Sequence, residues 1–350
     1  MKRVAILFAV IAVAVIAFLI FRSPAPIVSD KIAPPIVSDK ITARAQLAIL
    51  DGGAAHRQAR TLLVRGAWGS APGQFGHRRD PESNPEGPMA LAMGARGEAV
   101  VLDQINHRVQ RFLDGKLTAT LSTGGDTIQD LALAAGGRTV LLDRLADRTV
   151  QVYGADGKLE TELTLVGPGV PEGGGVTGVF ADDEGIYVER EHATLVRVAD
   201  ASGHPGDRAE LPGRPTRDGR LFITARLVNQ AAGVVSVSAI DRASRTPAWS
   251  ATIELGDGAL HLVLLDSDRA GHVYLGADVG SESPTPPFAL SNERIVVARI
   301  TSAGSPDGTL TLPAPTQPEE TFRPITVDDD GGIVQLIDGP DGVQVVRYSF

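Results

Sequence analysis

The sequence predicts an all-β chain, a six-bladed β-propeller, behind a single N-terminal transmembrane helix. Three observations support this prediction. From about Arg60 onward, short runs rich in Val, Leu and Ile alternate with Gly and Asp turns, and no long helical periodicity is present. Within this region, segments of about 40 to 50 residues resemble one another, which is typical of repeat folds. The chain opens with an unbroken apolar run.

The first 22 residues are predicted to be a membrane anchor. Lys2 and Arg3 precede an apolar run of 18 residues, 4–21, which as a helix is about 27 Å long and close to the hydrocarbon thickness of a bilayer. The alternative is a cleaved signal peptide, since small residues at 23–25 fit a cleavage pattern, but the bond after them precedes Pro26. We favour the anchor. In both cases the basic flank stays in the cytoplasm and the rest of the chain is exported.

Residues 23–59 are assigned as a Pro-containing linker. The heptapeptide "PIVSDKI" occurs at 26–32 and again at 35–41. Such a segment is too short to bury a core, and it is typical of an extended tether. The residues up to about Leu50 also fit one short helix ended by Gly52 and Gly53, but we assign them to the linker.

Residues 60–350 are predicted to form the propeller from six repeat units. "LAMGARGEAVVLDQINHRVQRFLDGKL" from Leu91 aligns with "LALAAGGRTVLLDRLADRTVQVYGADGKL" from Leu131. Further units begin at Val176, at Leu221 (the weakest, counted by spacing), at Leu262 (with Ile295–Ile300 as its third strand after a long insertion) and at Ile325. Three or four strands in each unit is the scale of a propeller blade.

The two ends of this region predict how the ring closes. A lone strand from Arg60 lies upstream of the first full unit, and the last unit stops after its third strand at Phe350. We expect the N-terminal strand to complete the final blade, because this pairing removes an exposed sheet edge.

"VLDQINHRVQRF", residues 101–112, gathers Asp103, His107 and Arg108 as an active site might. The second unit repeats an Asp followed five residues later by an Arg, at Asp143 and Arg148, but it does not repeat the His. The third unit has Glu189 and Thr194 in the two places. Recurrence is expected of a structural part that a repeat reuses. We interpret the stretch as a blade's inner hairpin, with a charge-assisted bond from Arg108 to Asp103 across a turn.

The first unit resembles an NHL repeat, a family of β-propeller blades. The matching positions are Trp68 and Gly69, Pro72 to Phe75, Pro85 with Gly87, Asp103, Asn106 to Arg108 and Phe112. The likeness is strongest in this unit, weaker in the second and only architectural beyond about Asp200. It implies a propeller from about Arg60 to the end of the chain.

No local catalytic motif is present. The histidines are His56, His77, His107, His192, His204, His261 and His272. None forms a zinc-binding HExxH pair, and the sequence lacks a Gly-x-Ser-x-Gly elbow and a phosphate-binding P-loop. The absence of cysteine excludes disulfides and thiolate chemistry, and a net charge of −9 without a Lys/Arg cluster argues against a nucleic-acid partner.

Three acidic turns offer carboxylates that would suit calcium, at 182–185, 266–268 and 328–332. They lack the full set of spaced ligands of a calcium loop. Each falls where the first hairpin of a blade must turn, and Asp and Gly are turn residues. We interpret them as turns and predict no metal or other cofactor.

The sequence therefore predicts a membrane-tethered extracytoplasmic propeller that acts as a binding scaffold for a protein or a small ligand. The loop Gly280–Glu293 is the first place to expect a partner. Because the resemblance includes lyases and related lactonases, the alternative is a metal-dependent lyase or lactonase-like hydrolase. Its ligands would converge on the central channel from different blades, so no catalytic, cofactor or metal residue is assigned from the sequence.

Overall fold

The computed structural model describes residues 47–49, 59–125 and 127–350. The predicted anchor, residues 1–22, and the duplicated "PIVSDKI" lie outside the described residues. Within the described part of the chain, no helix is long and apolar enough to cross a bilayer. The anchor therefore stays a prediction.

Six sheets form the blades of a propeller: each contains four antiparallel strands, and one of them carries a fifth, parallel strand at its outer edge. This confirms the predicted all-β six-bladed propeller. Two strands precede the first complete blade, β1 (Leu47–Ile49) and β2 (Arg60–Ala67). Blade 1 contains β3 (Ala90–Met93), β4 (Ala99–Asp103), β5 (Arg108–Leu113) and β6 (Lys116–Ser122). Blade 2 contains β7 (Asp130–Ala134), β8 (Arg138–Asp143), β9 (Thr149–Tyr153) and β10 (Leu159–Thr164). Blade 3 contains β11 (Val176–Ala181), β12 (Gly185–Arg190), β13 (Thr194–Asp200) and β14 (Glu210–Leu211).

The second half of the ring follows the same plan. Blade 4 contains β15 (Arg214–Pro215), β16 (Leu221–Asn229), β17 (Val234–Asp241) and β18 (Pro247–Glu254). Blade 5 contains β19 (Ala259–Ser267), β20 (Val273–Glu282), β21 (Leu290–Ile300) and β22 (Pro306–Pro313). Blade 6 contains β23 (Ile325–Val327), β24 (Ile333–Gly339) and β25 (Gly342–Tyr348), and β2 is its fourth strand. Single 3₁₀ turns occur at Gln104–Asn106 and Ala135–Gly137.

The pairing of β2 with β25 closes the ring as predicted. The two strands are antiparallel, with Thr61 opposite Arg347 and Val64 opposite Val345. Val64 is buried at 1% exposure, whereas Arg65 faces solvent. The strand β2 therefore forms the outermost strand of blade 6, and its Val64 contributes to the core.

Hydrophobic clusters join neighbouring blades around the ring. Alternate residues of a strand point to opposite faces of its sheet, so one blade can contribute apolar residues to the contacts on both of its sides. Five clusters lie between blades 1 and 2, 2 and 3, 4 and 5, 5 and 6, and 6 and 1. Among the described residues, no such cluster joins blades 3 and 4. We call this contact between blades 3 and 4 the seam.

Three details of the sequence interpretation need correction. The stretch from Leu221 is not the start of a unit, because it forms the second and third strands of blade 4, and the first strand is the short β15. Leu47–Ile49, assigned to the linker, forms a strand that pairs in parallel with β18 on the outer edge of blade 4. Most of Gly280–Glu293 belongs to a long hairpin, since Glu282 of β20 pairs with Leu290 of β21.

Candidate functional site in the central channel

A cavity of about 1260 Å³ lies at the centre of the ring. It is lined by residues of the innermost strands and by part of blade 4, among them Ala92, Ala132, Phe180, Arg214, Asp266 and Thr326. Blades 1 and 2 contribute apolar side chains, while blades 3 to 5 contribute an aromatic ring, a guanidinium group and a carboxylate. The cavity therefore has an apolar side and a charged side.

Phe180 lies between two guanidinium groups on the charged side. The Cζ atoms of Arg214 and Arg323 are each 4.6 Å from the centroid of its ring, within reach of cation–π attraction. Arg323 also donates to Asp130 Oδ2 at 2.5 Å and to the carbonyl oxygen of Val179 at 2.9 Å. These residues come from blades 2, 3 and 4 and from the segment that enters blade 6, so the stack connects four blades across the channel.

Glu189 fixes the position of Arg214. The Nε and Nη2 atoms of Arg214 donate to its two carboxylate oxygens at 2.6 and 2.9 Å, and Thr177 Oγ1 donates at 2.9 Å. Glu189 is 2% exposed, and burial by itself would raise the pKa of its carboxyl group. The attraction of Arg214 and the hydrogen bonds outweigh burial, so the pKa of Glu189 lies well below its usual value.

A second ion pair stands beside the first. Arg217 Nη2 donates to Asp266 Oδ2 at 2.9 Å, and its Nη1 is 3.5 Å from Asp329 Oδ1. Burial raises the pKa of Asp266, but Arg217 and the backbone amides of Ser267 and Val327 hold it below its usual value. Arg214, Arg217 and Arg323 are thus each bonded to a carboxylate, and this side of the channel carries little unbalanced charge.

The seam is held by polar contacts rather than by an apolar cluster. Arg242 of blade 4 forms ion pairs with Asp182 at 2.8 Å and with Glu184 at 2.7 Å, both of blade 3. Tyr187 donates to Asp182 at 2.9 Å, and the Arg242 guanidinium lies 5.2 Å from the centroid of the Phe222 ring. Away from these contacts, the seam opens into the cavity.

The opening follows from the short β15. Its two residues pair only with Ile223 and Phe222 of β16, although β16 continues to Asn229. Residues 224–227 of β16 therefore line the cavity. Ser236 and Ser238, which lie opposite Arg226 and Thr224 on β17, line it as well. Hydroxyl groups and a guanidinium group thus replace the apolar face that the other blades present to a neighbour.

The cavity extends to the end of the channel where the innermost strands begin, near Thr177 and His261, and we call this end the mouth. Arg226 is exposed there and forms no ion pair with any described residue. His261 is 2.9 Å from Asp278, and this hydrogen bond raises the pKa of His261. Both His261 and Asp278 also line a second cavity of about 540 Å³, which extends to Phe288 and Leu290 of the long hairpin.

The Asp103–Arg108 turn is structural. Arg108 Nε donates to Asp103 Oδ2 at 2.8 Å, as expected, and the Gly76 amide donates to Oδ1 at 2.7 Å. Arg108 also donates to the carbonyl oxygen of Gln74 at 2.8 Å. The turn joins β4 and β5, so it belongs to the second hairpin of the blade and not to the inner one, which corrects the prediction.

The five-residue spacing does not create the same bond in blade 2. Asp103 lies opposite Arg108 in the β4–β5 ladder, whereas Asp143 lies opposite Thr149. The turn of blade 2 is one residue longer, so Arg148 takes the left-handed conformation that His107 takes in blade 1, at φ of 56° and 52°. Asp143 instead accepts the amide of Ala146 at 2.9 Å.

The residues of the NHL resemblance form one connected unit in blade 1. Phe75 is fully buried and packs against Phe112, with ring centroids 5.9 Å apart. Asn106 Nδ2 donates to the carbonyl oxygen of Gly69 at 2.9 Å. Trp68 Nε1 donates to the carbonyl oxygen of Gly339 in blade 6 at 3.0 Å. The residues of this motif thus connect blade 1 to the closing blade, so their role in the fold is structural.

The predicted acidic turns occur where expected. Asp182 Oδ1 accepts the amides of Glu184 and Gly185, and Asp328 Oδ1 accepts the amide of Gly332. Asp268 accepts the amide of His272 at 2.9 Å. Only His192 and His261 of the described histidines line the central cavity, and His56 lies outside the described residues. Within the described ranges, no three His, Asp or Glu side chains are grouped to hold a metal ion.

One buried carboxyl pair lies outside the central cavity. Glu319 accepts hydrogen bonds from Arg79 and His77, each at 2.8 Å, whereas Asp338 Oδ1 is buried without a hydrogen bond. Burial and the neighbouring charge of Glu319 raise the pKa of Asp338 to about 7. The neutral form of Asp338 is therefore favoured in the folded protein below about pH 7.

This shift predicts that Asp338 makes stability depend on pH. The folded state binds the proton more tightly than the unfolded state, so its stabilisation is full below the unfolded pKa of about 4 and is lost as pH rises through about 7. Asp338→Asn should flatten the dependence of Tm on pH between 5 and 8, and raise Tm at pH 8 by roughly 3 °C or more. Asp341→Asn, at an exposed site nearby, is the control. Parallel Tm curves for wild type and Asp338→Asn would contradict the assignment.

No family model matches the chain, and no curated protein is significantly similar to it. The NHL resemblance therefore stays a prediction. Among solved structures, hydrazine synthase of Kuenenia stuttgartiensis is similar with a TM-score of 0.48 and 13% identity, over 73% of this chain and 76% of that one. A streptogramin B lyase is similar with a TM-score of 0.42 and 14% identity, over 77% and 95% of the two chains. A catalytically inactive virginiamycin B lyase from Staphylococcus aureus with quinupristin has a TM-score of 0.41 and 14% identity, over 78% and 98%. At such identities the likeness concerns the fold alone.

Proposed function

We propose that this chain is an extracytoplasmic binding propeller, held at a membrane by its N-terminal segment, whose ligand enters the central cavity through the mouth and lies against the seam. The observation that carries the binding role is the seam itself. Five contacts between blades are apolar, while this one presents hydroxyl groups and the guanidinium of Arg226, which has no ion-pair partner among the described residues, to a cavity of about 1260 Å³. Concave sites with a few convergent polar groups are typical of ligand binding.

The rigidity of the site supports binding as well. The ion pairs of Arg214 and Arg217 and the stack around Phe180 fix the charged side of the cavity before any ligand arrives. A preorganised site loses little side-chain entropy when it binds. Tethering is supported by the apolar run of residues 4–21 alone.

Binding can be tested with a variant that fills the cavity. Ser238 lines the seam, so Ser238→Trp should occupy the space, whereas Ser244→Trp changes an exposed turn. The detergent-solubilised full chain is equilibrated by dialysis against a low-mass extract of the cells that make it, and enriched compounds are identified by mass spectrometry. We expect enrichment by the wild type and Ser244→Trp but not by Ser238→Trp. Equal enrichment by all three proteins, or none by the wild type, would contradict the proposal.

Two further measurements address the rest of the proposal. The mass of the mature N-terminus distinguishes the anchor from a cleaved signal peptide, because a chain that begins near Pro26 has lost the anchor. Incubation of each enriched compound with the protein distinguishes binding from catalysis. Release of a chemically changed product would favour the lyase or hydrolase alternative.

A further inference from the structure

We propose that the ligand of the seam is an extended peptide, which adds as a strand to the free edge of β16 and places an acidic side chain opposite Arg226. The inference rests on the proposed function and specifies the chemical class of its ligand. The peptide would occupy the position that the missing half of β15 leaves empty.

The backbone of β16 offers unpaired groups towards the channel. The amide and carbonyl of Leu221 both bond to Thr216, on the inner side of the sheet. Along a strand, alternate residues direct both groups to the same side. The β16–β17 register runs without irregularity from Leu221 to Leu227, so Ala225 and Leu227 also direct their amides and carbonyls inward. No described group bonds to these four atoms.

A free sheet edge is a template for an extended peptide. The inner part of this edge faces the cavity, because Ala225 and Leu227 line it and their side chains pack partly against the apolar cluster between blades 4 and 5. The free stretch from Thr224 to Asn229 is about 20 Å long at 3.4 Å per residue, enough for a peptide of about six residues.

Charge complementarity specifies the peptide further. A residue of the added strand that lies opposite Arg226 has its side chain on the same face of the sheet, about 5 Å away between Cβ atoms. Because Arg226 forms no ion pair with a described residue, an Asp or Glu at this position gains a charge-assisted bond without displacing a partner. A Lys there meets an uncompensated positive charge.

The second cavity gives the peptide a place for an apolar side chain. It shares His261, Asp278 and Pro315 with the central cavity, so the two are continuous at the mouth. Phe288 and Leu290 are 52% and 43% exposed beside it, although both are large apolar residues. A peptide that leaves β16 at the mouth can cover them with an apolar residue near its end.

Degenerate blocked hexapeptides test the proposal on the detergent-solubilised full chain. One set has the form acetyl-X-X-Glu-X-X-X-amide and the other has Lys in place of Glu, with X an equimolar mixture of residues. We expect the immobilised wild type to retain members of the Glu set at least about tenfold over the Lys set, and Arg226→Glu to reverse this preference. Arg96→Glu, at an exposed hairpin turn of blade 1, should leave retention unchanged.

The backbone contact is tested with the best retained peptide and unchanged protein. N-methylation of every second amide should weaken binding about tenfold or more, and methylation of the amides between them should have little effect, because only alternate groups face β16. Ala225→Pro removes an inward amide while leaving the β16–β17 ladder intact, and it should also weaken binding, provided that its Tm stays near that of the wild type.

The outcomes separate this inference from the proposed function. A period of two in the methylation scan supports strand addition, whereas a uniform response or none overturns it. If the cell extract yields only compounds without peptide bonds and neither hexapeptide set is retained, the proposal of a peptide ligand is wrong and the proposed binding function stands. If the wild type enriches nothing over Ser238→Trp, both are wrong.

Discussion

Glu189→Ala is expected to destabilise the protein by about 3–5 kcal/mol, because it leaves the guanidinium of Arg214 buried without its carboxylate. Arg214 would keep its hydrogen bond to the carbonyl oxygen of Leu265, at 2.7 Å, its contact with the ring of Phe180, and the longer-range attraction of Asp266 and Asp130. The free energy of unfolding from urea titration measures the effect. Glu191→Ala is the matched control, since Glu191 lies in the adjacent turn, is exposed and lines the same cavity.

A double variant distinguishes the loss of a favourable bond from the cost of a stranded charge. In Glu189→Leu with Arg214→Met both charges are absent, and replacing a buried ion pair by apolar groups of similar volume is often nearly neutral. We therefore expect the double variant to recover most of the lost stability. A double variant as unstable as Glu189→Ala would show that packing of the stack, rather than charge, carries the effect.

The sign of the pKa shift gives the same pair a pH dependence. Because the folded pKa of Glu189 is depressed, its stabilisation is present above the unfolded pKa of about 4.3 and is lost as pH falls towards the folded value. Wild type should lose stability on acidification in this range more steeply than Glu189→Ala does. The two slopes come from urea titrations at a series of pH values.

The ring could be predicted from the sequence because its signals are local and repeated. Each first hairpin turns at Asp or Gly, short apolar runs flank these turns, and the spacing of the units is kept even where their residues differ. The strand at Arg60 and the incomplete last unit predicted the closure that β2 and β25 make. The equal spacing of Asp143 and Arg148 suggested that blade 2 repeats the turn of blade 1. It does not, because the turn in blade 2 is one residue longer and the spacing alone does not reveal this.

The seam could not be predicted in this way, because it depends on an inner strand of blade 4 that is shorter than those of the other blades. In the other units an apolar run precedes the first turn, but before the turn at Thr216 the sequence reads "LPGRP". Pro215 has no amide to donate and Gly213 weakens a strand, so the inner strand is short and β16 is left uncovered. The missing apolar run before this turn was the one local sequence feature that could have indicated the seam. The sequence contains no local signal for the bond from Arg323 to Asp130, since the two residues are 193 positions apart.

Val64→Asp is expected to open the ring, with a loss of at least about 3–5 kcal/mol in the free energy of unfolding, because it places an unpaired carboxylate in an apolar site. Val64 is 1% exposed and packs in the cluster between blades 6 and 1. Arg65→Asp, one residue later on the exposed side of the same strand, should change stability by about 0.5 kcal/mol or less. Urea titration of the two full-length variants compares them.

Opening the ring should have a second consequence that simple loss of a core residue would not. Without β2, the seven-residue strand β25, Gly342–Tyr348, becomes an edge whose alternate residues present unpaired amides and carbonyls, which is a template for pairing between molecules. We therefore expect Val64→Asp to self-associate, and Val101→Ala, a cavity variant in the same cluster, to stay in the oligomeric state of the wild type. Addition of a peptide with the sequence of residues 59–67 should reverse the association, because it can pair with β25 in the place of β2. Association that the peptide does not reverse would contradict the prediction that it arises from the exposed edge of β25.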